Sequence, residues 1–164
     1  AASHVELRPA NATRIMALID SVETSANTLH TLGITVNLGS GTQLEDKSRA
    51  HVSPLRAADL HSGDYIEVRG FENPAGTALM AVILEREDAA NTVELRGRVR
   101  SATDPSINVL GQAIELPVSI QLRDAAGTTL TRAQFFTQAV GRTVKLRGRP
   151  NGSVVIWERA ELET

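Results

Sequence analysis

Apolar and polar residues alternate along most of the chain, in short runs separated by Gly, Pro, Asn, Asp and Ser. Alternation with a period of two predicts β-strands that bury one face. Five strands are expected in each half, near residues 12–22, 27–32, 34–39, 64–71 and 78–86 in the first half and near residues 92–102, 106–110, 112–122, 143–149 and 153–162 in the second half. We therefore expect an all-β protein.

The two halves of the chain repeat one another. Arg69-Gly70 recurs as Arg147-Gly148, 78 positions later, and further identities and conservative matches follow at the same spacing. Self-similarity at a fixed spacing indicates repeated structural units. The sequence therefore predicts two small domains, residues 1–88 and residues 89–164.

A helix signal and a turn signal recur between the third and fourth predicted strands. Ser53 and Thr131 can each cap a helix, because their side-chain oxygens accept hydrogen bonds from the free amides of the first turn. Gly141 suits the position after the end of the second helix. Asp46 and Asp124 are predicted to cap the turns that follow them. The inward faces of the two short helices are predicted to contain Leu55, Ala58, Ala133 and Phe136.

Three strands, one helix and two strands follow one another in the OB-fold, a five-stranded Greek-key barrel. A closed barrel also removes the exposed strand edges that invite aggregation. Gly63 and Gly70 bracket the fourth strand of the first copy, as Gly141 and Gly148 do in the second, and they suit a turn and a bend where a side chain would clash. We therefore predict two tandem OB-like barrels, each with one short helix between strands three and four.

Three segments of the first copy carry a resemblance to a known family: IDSVETSANTLHTLGITVNLGSGTQLED, LHSGDYIEVRG and NPAGTALMAVILER. They resemble an uncharacterised bacterial family of exported or lipoprotein-like proteins with tandem OB-like barrels, labelled a domain of unknown function. The second copy departs from the pattern, because Arg142 and Lys145 replace Asp64 and Glu67. The resemblance implies the fold, the repetition and an extracytoplasmic location (periplasmic, lipoprotein or secreted). It implies no activity.

The composition is that of a folded protein and narrows the chemistry. Of 164 residues, 41% are hydrophobic and 22% are charged, and no apolar run approaches the roughly 20 residues of a membrane-spanning helix. The chain has no cysteine, which excludes disulfides, thiol catalysis and Cys-based metal sites. The net charge of −2 divides unevenly, with 7 Lys/Arg and 12 Asp/Glu in residues 1–90 but 10 and 7 in residues 91–164. Such asymmetry points to an interaction surface in the basic half.

The outward positions of strands one and four of the second copy are basic. Because these strands are neighbours in an OB barrel and residues two apart point to the same side, six cations should share one outer surface: Arg96, Arg98, Arg100, Lys145, Arg147 and Arg149. Like charges directly opposed destabilise a sheet, which favours a bound oligonucleotide, acidic polysaccharide, lipid phosphate or acidic protein. In the alternative interpretation the face is solvated, and Glu94 and Glu158 relieve the repulsion.

The matching positions of the first copy are less charged. Met16, Leu18 and Tyr65 are predicted to form an apolar outer patch, and exposed apolar groups usually mark a contact surface. This partner interface would contact either an external protein or the other barrel.

Catalysis and metal binding find little support in the sequence. His51 and His61 flank the first helix signal, but their spacing lacks the tight pattern of zinc motifs. Single-stranded nucleic acid is also a poorly supported ligand. Its bases stack on aromatic side chains of the protein, and the chain has only one Trp, one Tyr and three Phe. No catalytic residue, cofactor, metal site or membrane span is expected.

We therefore expect a non-enzymatic binding or scaffold module of the bacterial envelope that binds an anionic partner on the basic face of the second barrel. The first alternative is a structural module that contacts another protein through the apolar face of the first barrel. The second alternative is an oligonucleotide-binding OB protein.

Overall fold

The computed structural model describes residues 13–152 and 154–163. The chain forms two compact units, Ala1–Ala90 and Asn91–Thr164, referred to below as unit 1 and unit 2. The described residues are mostly β-strand, as the alternation predicts, and contain one α-helix. Residues 1–12, at the start of the predicted first domain, lie outside the described residues.

The described part of unit 1 contains six strands. They are β1 (Thr13–Leu18), β2 (Ser21–Glu23), β3 (Thr28–Thr31), β4 (Ile34–Asp46), β5 (Tyr65–Glu72) and β6 (Ala78–Glu87). Their hydrogen-bonded order is β1-β5-β6-β4-β3-β2. β4 and β6 run parallel, and the other neighbours are antiparallel. The two end strands, β1 and β2, follow one another in the chain.

Unit 2 contains six further strands and the helix. They are β7 (Val93–Thr103), β8 (Ser106–Val109), β9 (Gln112–Glu115), β10 (Gln121–Arg123), α1 (Arg132–Ala139), β11 (Thr143–Asn151) and β12 (Val154–Leu162). β10, β12, β11 and β7 lie side by side, β8 pairs with β7, and β9 pairs with β8. β10 and β12 are the parallel neighbours in this unit.

The predicted closed barrels are not found, because the hydrogen-bonded strands form an open mixed sheet. The alternation predicts one unbroken strand near residues 12–22 and another near residues 112–122. In the structure, Ile19 and Asp20 separate β1 from β2, and residues 116–120 separate β9 from β10. At the first interruption the backbone hydrogen bonds change partner, because the N–H of Ile19 donates to Asp64, beside β5, whereas the N–H of Asp20 donates to His30 of β3. The ladder is therefore not continuous from β1 to β2.

Each unit buries the inward residues of its own strands. Aliphatic side chains dominate, as expected for a chain with few aromatic residues. The residues that are at most 1% exposed include Ile15, Leu29, Ile34, Ile66 and Leu84 in unit 1, and Leu95, Ile107, Leu116, Leu146 and Phe135 in unit 2.

The repeated Arg-Gly pair marks a β-bulge in each unit. The register between β5 and β6 shifts immediately before Gly70, and the register between β11 and β12 shifts immediately before Gly148. A Cβ atom on Gly70 would overlap the carbonyl oxygen of Met80, and one on Gly148 would overlap that of Ile156. The predicted clash is therefore confirmed, since only glycine lets two backbones approach so closely.

Helix α1 begins and ends where the sequence predicts. The Thr131 side chain accepts a hydrogen bond from the N–H of Gln134 at 3.1 Å, and the Gln134 side chain accepts from the N–H of Thr131 at 2.9 Å. This reciprocal capping box satisfies two amides at the helix start. Gly141 follows the helix end with a φ of +84°. Among the described residues, no helix has the length and apolar character needed to cross a bilayer.

The prediction of which α1 residues face the core is wrong. Phe135 and Ala139 are fully buried, whereas Ala133 is exposed and Phe136 is half-buried. Residues four apart share a helix face, so the buried pair is a regular one. The register predicted for α1 is that of the matching residues in the first copy, where no α-helix forms.

The helix predicted in the first copy is a single 3₁₀ turn, Ala57–Asp59. Its cap is Arg56 rather than Ser53, and the Asp59 carboxylate accepts the Arg56 N–H at 2.9 Å. Leu55 is buried as predicted, but Ala58 is exposed. The 3₁₀ turn has only three residues and ends at Asp59, so it is too short to present residues of one helix face to the core.

Asp46 anchors the loop that follows β4. It accepts hydrogen bonds from the N–H of Val52 at 2.8 Å and from Nη2 of Arg86 at 2.6 Å. The Arg86 guanidinium, aided by hydrogen bonds from Ser48 and Val52, holds the pKa of Asp46 far below its usual range, although burial opposes this shift. The predicted turn cap is thus confirmed, with a buried ion pair added.

Asp124 repeats the turn cap in unit 2. Its carboxylate accepts hydrogen bonds from the N–H groups of Ala126 and Thr128, at 2.9 Å each. No cation joins this carboxylate among the residues that the structure describes. The two aspartates therefore share a local role and differ in their long-range partner.

Candidate functional site

The six predicted cations lie on two adjacent strands of unit 2. β7 and β11 pair antiparallel, with Lys145 opposite Arg96 and Arg147 opposite Glu94. The outward residues alternate with buried ones on both strands. The structure therefore brings Arg96, Arg98, Lys145, Arg147 and Arg149 to one face, on which Glu94 also lies. Arg100 is exposed at the irregularity in the β7–β8 pairing.

Among the described residues, Arg96, Lys145 and Arg149 have acidic partners. The pairs are Arg96–Glu163 at 2.6 Å, Lys145–Glu94 at 3.8 Å and Arg149–Glu158 at 2.9 Å. Glu94 and Glu158 relieve part of the repulsion, as the alternative interpretation expects. Arg98 and Arg100 are exposed on β7.

Arg147 has a second cation as its neighbour on β12. Its Cα partner there is Arg159, and both side chains are exposed. Neither guanidinium makes an ion pair or a hydrogen bond within residues 13–152 and 154–163. Like charges in opposite positions on a sheet cost stability, so this pair stands out from the compensated charges around it.

A groove of about 610 Å³ opens beside this arginine pair. It is lined by Ser119, Gln121, Arg147, Arg149, Ile156, Trp157, Glu158 and Arg159. Three arginines against one glutamate leave the lining with a net charge of +2. The volume falls within the roughly 300–1,000 Å³ that is typical of ligand clefts.

β11 pairs along one edge of β12, whereas the opposite edge of β12 has a neighbouring strand along only part of its length. The groove lies beside the part without a neighbour. β10 pairs with β12 through three residues, Gln121–Arg123 against Arg159–Glu161. Toward its start, Val154–Glu158, β12 has no strand on that side in the described part of the chain. β9 precedes β10, but it pairs with β8.

A turn at Pro117 keeps β9 and β10 apart. The N–H of Ile120 donates to the carbonyl of Pro117 at 3.1 Å, and proline has no N–H to give to a ladder. Arg132 of α1 donates to the carbonyls of Pro117 and Leu116 at 2.9 and 3.0 Å. Its guanidinium also meets Asp104 at 2.9 Å. The helix thus holds the turn out of the sheet.

Sequence reasoning missed Arg159. Trp157, Ala160 and Leu162 are buried, whereas Glu158 and Arg159 are both exposed. The bulge in the β11–β12 pairing inserts one residue and breaks the alternation. The signal in the sequence is the step from Trp157 to Ala160, which is three residues rather than two.

Unit 1 carries carboxylates on the corresponding strands. The carboxylate oxygens of Glu67, Glu85 and Glu87 lie within 4.8 Å of one another, a spacing that suits a metal ion. Lys47 Nζ lies 2.9 Å from Glu85, however, and Arg14 Nε lies 2.8 Å from Glu67. Burial, and then the charges of Glu67 and Glu85, raise the pKa of Glu87. Basic side chains therefore already neutralise two of the three carboxylates.

The predicted apolar patch is only partly exposed. Leu18 lies opposite Tyr65 on β1 and β5. Leu18 is 37% exposed, Met16 is half-buried, and Tyr65 is 3% exposed. The use of this patch as a partner interface stays a prediction.

The two histidines that flank the first helix signal lie outside any cluster of metal-ligating side chains among the described residues. His51 and His61 are both exposed, and His61 Nδ1 lies 4.0 Å from Asp64. Among the described residues, no cluster of three metal-ligating side chains includes a histidine.

The comparison with protein families bears on unit 1. Residues 17–82 match the family described as Domain of unknown function (DUF5666). The match begins within β1 and ends within β6, so unit 2 lies outside it. For these residues, the predicted resemblance to a domain of unknown function is confirmed. Comparison with curated proteins gave no match, and comparison with solved structures gave none.

Proposed function

We propose that the protein is a binding module, and that unit 2 binds an anionic partner at the groove lined by Arg147, Arg149 and Arg159. The observation that carries this proposal is the direct opposition of Arg147 and Arg159 on β11 and β12. An anion between the two guanidiniums would relieve their repulsion. Guanidinium groups also bind carboxylate, sulfate and phosphate oxygens through paired hydrogen bonds.

This assignment narrows the predicted six-residue surface. Arg96 and Lys145 are occupied by Glu163 and Glu94, and an incoming anion would have to displace those carboxylates. Arg147 and Arg159 need no such displacement. The anion site is therefore centred on the β11–β12 pair rather than on the β7–β11 pair.

The groove favours binding over catalysis. Among its eight lining residues there is one carboxylate, Glu158, which Arg149 holds at 2.9 Å. Ser119 has no histidine beside it in the lining, and an activated serine needs an adjacent base. A general acid–base pair is likewise missing from this set of residues.

We infer an OB-like order of strands within each unit. Two observations support it. β4 pairs in parallel with β6, and β10 pairs in parallel with β12. All other strand pairs within the described part of each unit are antiparallel. The first and last strands in the hydrogen-bonded order of each unit are consecutive in the chain: β1 and β2 in unit 1, and β9 and β10 in unit 2. An OB barrel shows the same order with unbroken strands.

Heparin affinity chromatography tests the anion site. The protein should be retained at low salt and released as salt rises, because screening weakens exposed ion pairs. Arg147→Gln with Arg159→Gln should abolish this retention. Arg98→Gln is the matched control, since Arg98 lies exposed on β7 outside the groove. Equal retention of the double variant and the wild type would refute the site.

A further inference from the structure

We propose that the groove of unit 2 receives an extended acidic segment of a partner protein, which adds a strand to the open edge of β12. The proposal rests on the anion site above and names the class of partner. Two features coincide in the groove: a strand edge without a neighbour in the described part of the chain, and two arginines, Arg147 and Arg159, that make no ion pair with any described residue.

Unit 1 shows what fills the corresponding position. Thr35–Leu38 of β4 pairs in parallel with Ala78–Ala81 of β6. Because Gly70 faces Ala81 and Gly148 faces Trp157 across the two bulges, Ala78–Ala81 corresponds to Val154–Trp157 of β12. The position that unit 1 fills with its own strand is thus the one that the groove leaves open in unit 2.

The main chain of β12 has groups to offer at this edge. Asn151 and Val154 close the β11–β12 hairpin, and the next pair is Pro150 with Val155. Hydrogen-bonded and non-hydrogen-bonded pairs alternate in an antiparallel ladder, and Pro150 has no N–H to give. The N–H and C=O of Val155 therefore face the open edge, where they can pair with an added strand.

The side chains select an acidic segment. Residues on an added strand point alternately to the two faces of the sheet. Every second residue of the segment would therefore lie on the face of Arg147, Arg149 and Arg159. Carboxylates at these positions would meet guanidinium groups, and cations would be repelled.

Two other occupants fit less well. A nucleic acid needs stacking surfaces, and the one aromatic residue in the lining, Trp157, is 7% exposed. A second copy of β12 would bring a second groove lining with a net charge of +2 to the first, and the like charges would repel. A peptide supplies both the backbone partners and the negative charge.

Peptide binding tests the added strand directly. The probe is a fluorescein-labelled octapeptide of alternating threonine and glutamate, followed by fluorescence anisotropy and by the emission of Trp157, the one Trp of the chain. Two further forms carry N-methyl groups, one on its threonines and the other on its glutamates. Strand addition bonds one edge of the peptide, so one N-methylated form should lose at least about tenfold in affinity while the other keeps it.

The variants separate failure of the strand from failure of the anion site. Val155→Pro should weaken peptide binding and leave heparin retention unchanged, because it removes an N–H and no charge. Arg147→Gln with Arg159→Gln should weaken both. If both N-methylated peptides bind as well as the parent, strand addition is overturned while the anion site stands. If neither heparin nor peptide binds, both proposals are overturned.

Two more results would overturn the peptide as occupant. One is binding of single-stranded DNA that the octapeptide does not displace. The other is a dimer, measured by analytical ultracentrifugation, that Val155→Pro dissociates. The N-methylated peptides keep the test decisive even if Val155→Pro fails to fold.

Discussion

β4 of unit 1 and the β9–β10 segment of unit 2 occupy corresponding places in the repeat but differ in continuity. β4 is unbroken from Ile34 to Asp46 and pairs with β6 before and after one irregularity. In unit 2 a turn at Pro117 interrupts the segment, and only Gln121–Arg123 reaches β12. A short turn therefore decides whether a strand edge is used within the unit or left open.

The same two units also differ in charge at corresponding positions. Across the central pair of unit 1, Arg69 faces Ile83, whereas Arg147 faces Arg159 in unit 2. One row further, Glu67 of unit 1 is replaced by Lys145. Inward residues remain apolar in both units, because packing restricts them, while outward residues are free to diverge.

The largest expected effect is a loss of unfolding free energy when the turn-capping aspartate of unit 1 is changed, compared with the same change in unit 2. Asp46→Asn should cost about 3–5 kcal/mol of unfolding free energy at neutral pH, because Arg86 is left buried without its partner. Asp124→Asn should cost about 1 kcal/mol, since it loses hydrogen bonds to backbone amides only. Urea denaturation of both variants measures the difference. Equal losses would show that the Asp46–Arg86 pair adds nothing.

The pH dependence of the Asp46 effect follows from its lowered pKa. The folded state favours the carboxylate, so the stabilisation is present above the ordinary value of 3.8 and is lost as the pH falls below it. The stability difference between wild type and Asp46→Asn should therefore shrink in acid. A difference that stays constant from neutral pH down to about pH 3 would contradict the ion-pair account.

Substitution of the two bulge glycines tests whether the close backbone approach at the bulge constrains both units in the same way. Gly70→Ala and Gly148→Ala should each cost about 2–3 kcal/mol, because the new Cβ would push against a backbone carbonyl. Gly41→Ala is the control, since no atom lies within 4 Å of its added Cβ. Urea denaturation should leave this control near wild type. A tolerated Gly148→Ala would mean that the bulge of unit 2 is not constrained as that of unit 1 is.

Arg132 tests why the strand of unit 2 is interrupted. Arg132→Ala should lower the melting temperature by about 5 °C and speed amide exchange at Ile120, because the carbonyls of Leu116 and Pro117 lose their donors. Arg56→Ala, at the 3₁₀ turn of unit 1, is the matched control and should leave Ile120 exchange unchanged. Unchanged exchange in Arg132→Ala would show that Pro117 alone holds the turn.

The smallest effect concerns the carboxylates of unit 1. Glu87→Gln should raise stability slightly at neutral pH, by under about 1 kcal/mol, because ionised Glu87 is partly buried beside Glu67 and Glu85. The gain should disappear as the pH falls through the raised pKa of Glu87, where the carboxyl is protonated in the folded state. Glu115→Gln, at an exposed position of β9, should show no such pH dependence in thermal melts.

By itself, the sequence determined most of the strand positions, the repeat, the glycines of the bulges and the caps at Asp46, Asp124 and Thr131, but it did not show the interruptions after β1 and β9. These features depend on side-chain alternation and on local sterics, which neighbouring residues set. It also placed Arg147 on an outward face and predicted that β11 neighbours β7.

Only the tertiary structure decided that Arg159 faces Arg147, that Pro117 opens a groove and that Asp46 meets Arg86. Each of these depends on which strand edges meet and in which register, and a one-residue bulge changes both. Pairing between distant segments is set by backbone hydrogen bonds and close packing across the sheet, which the alternation of a single strand does not encode.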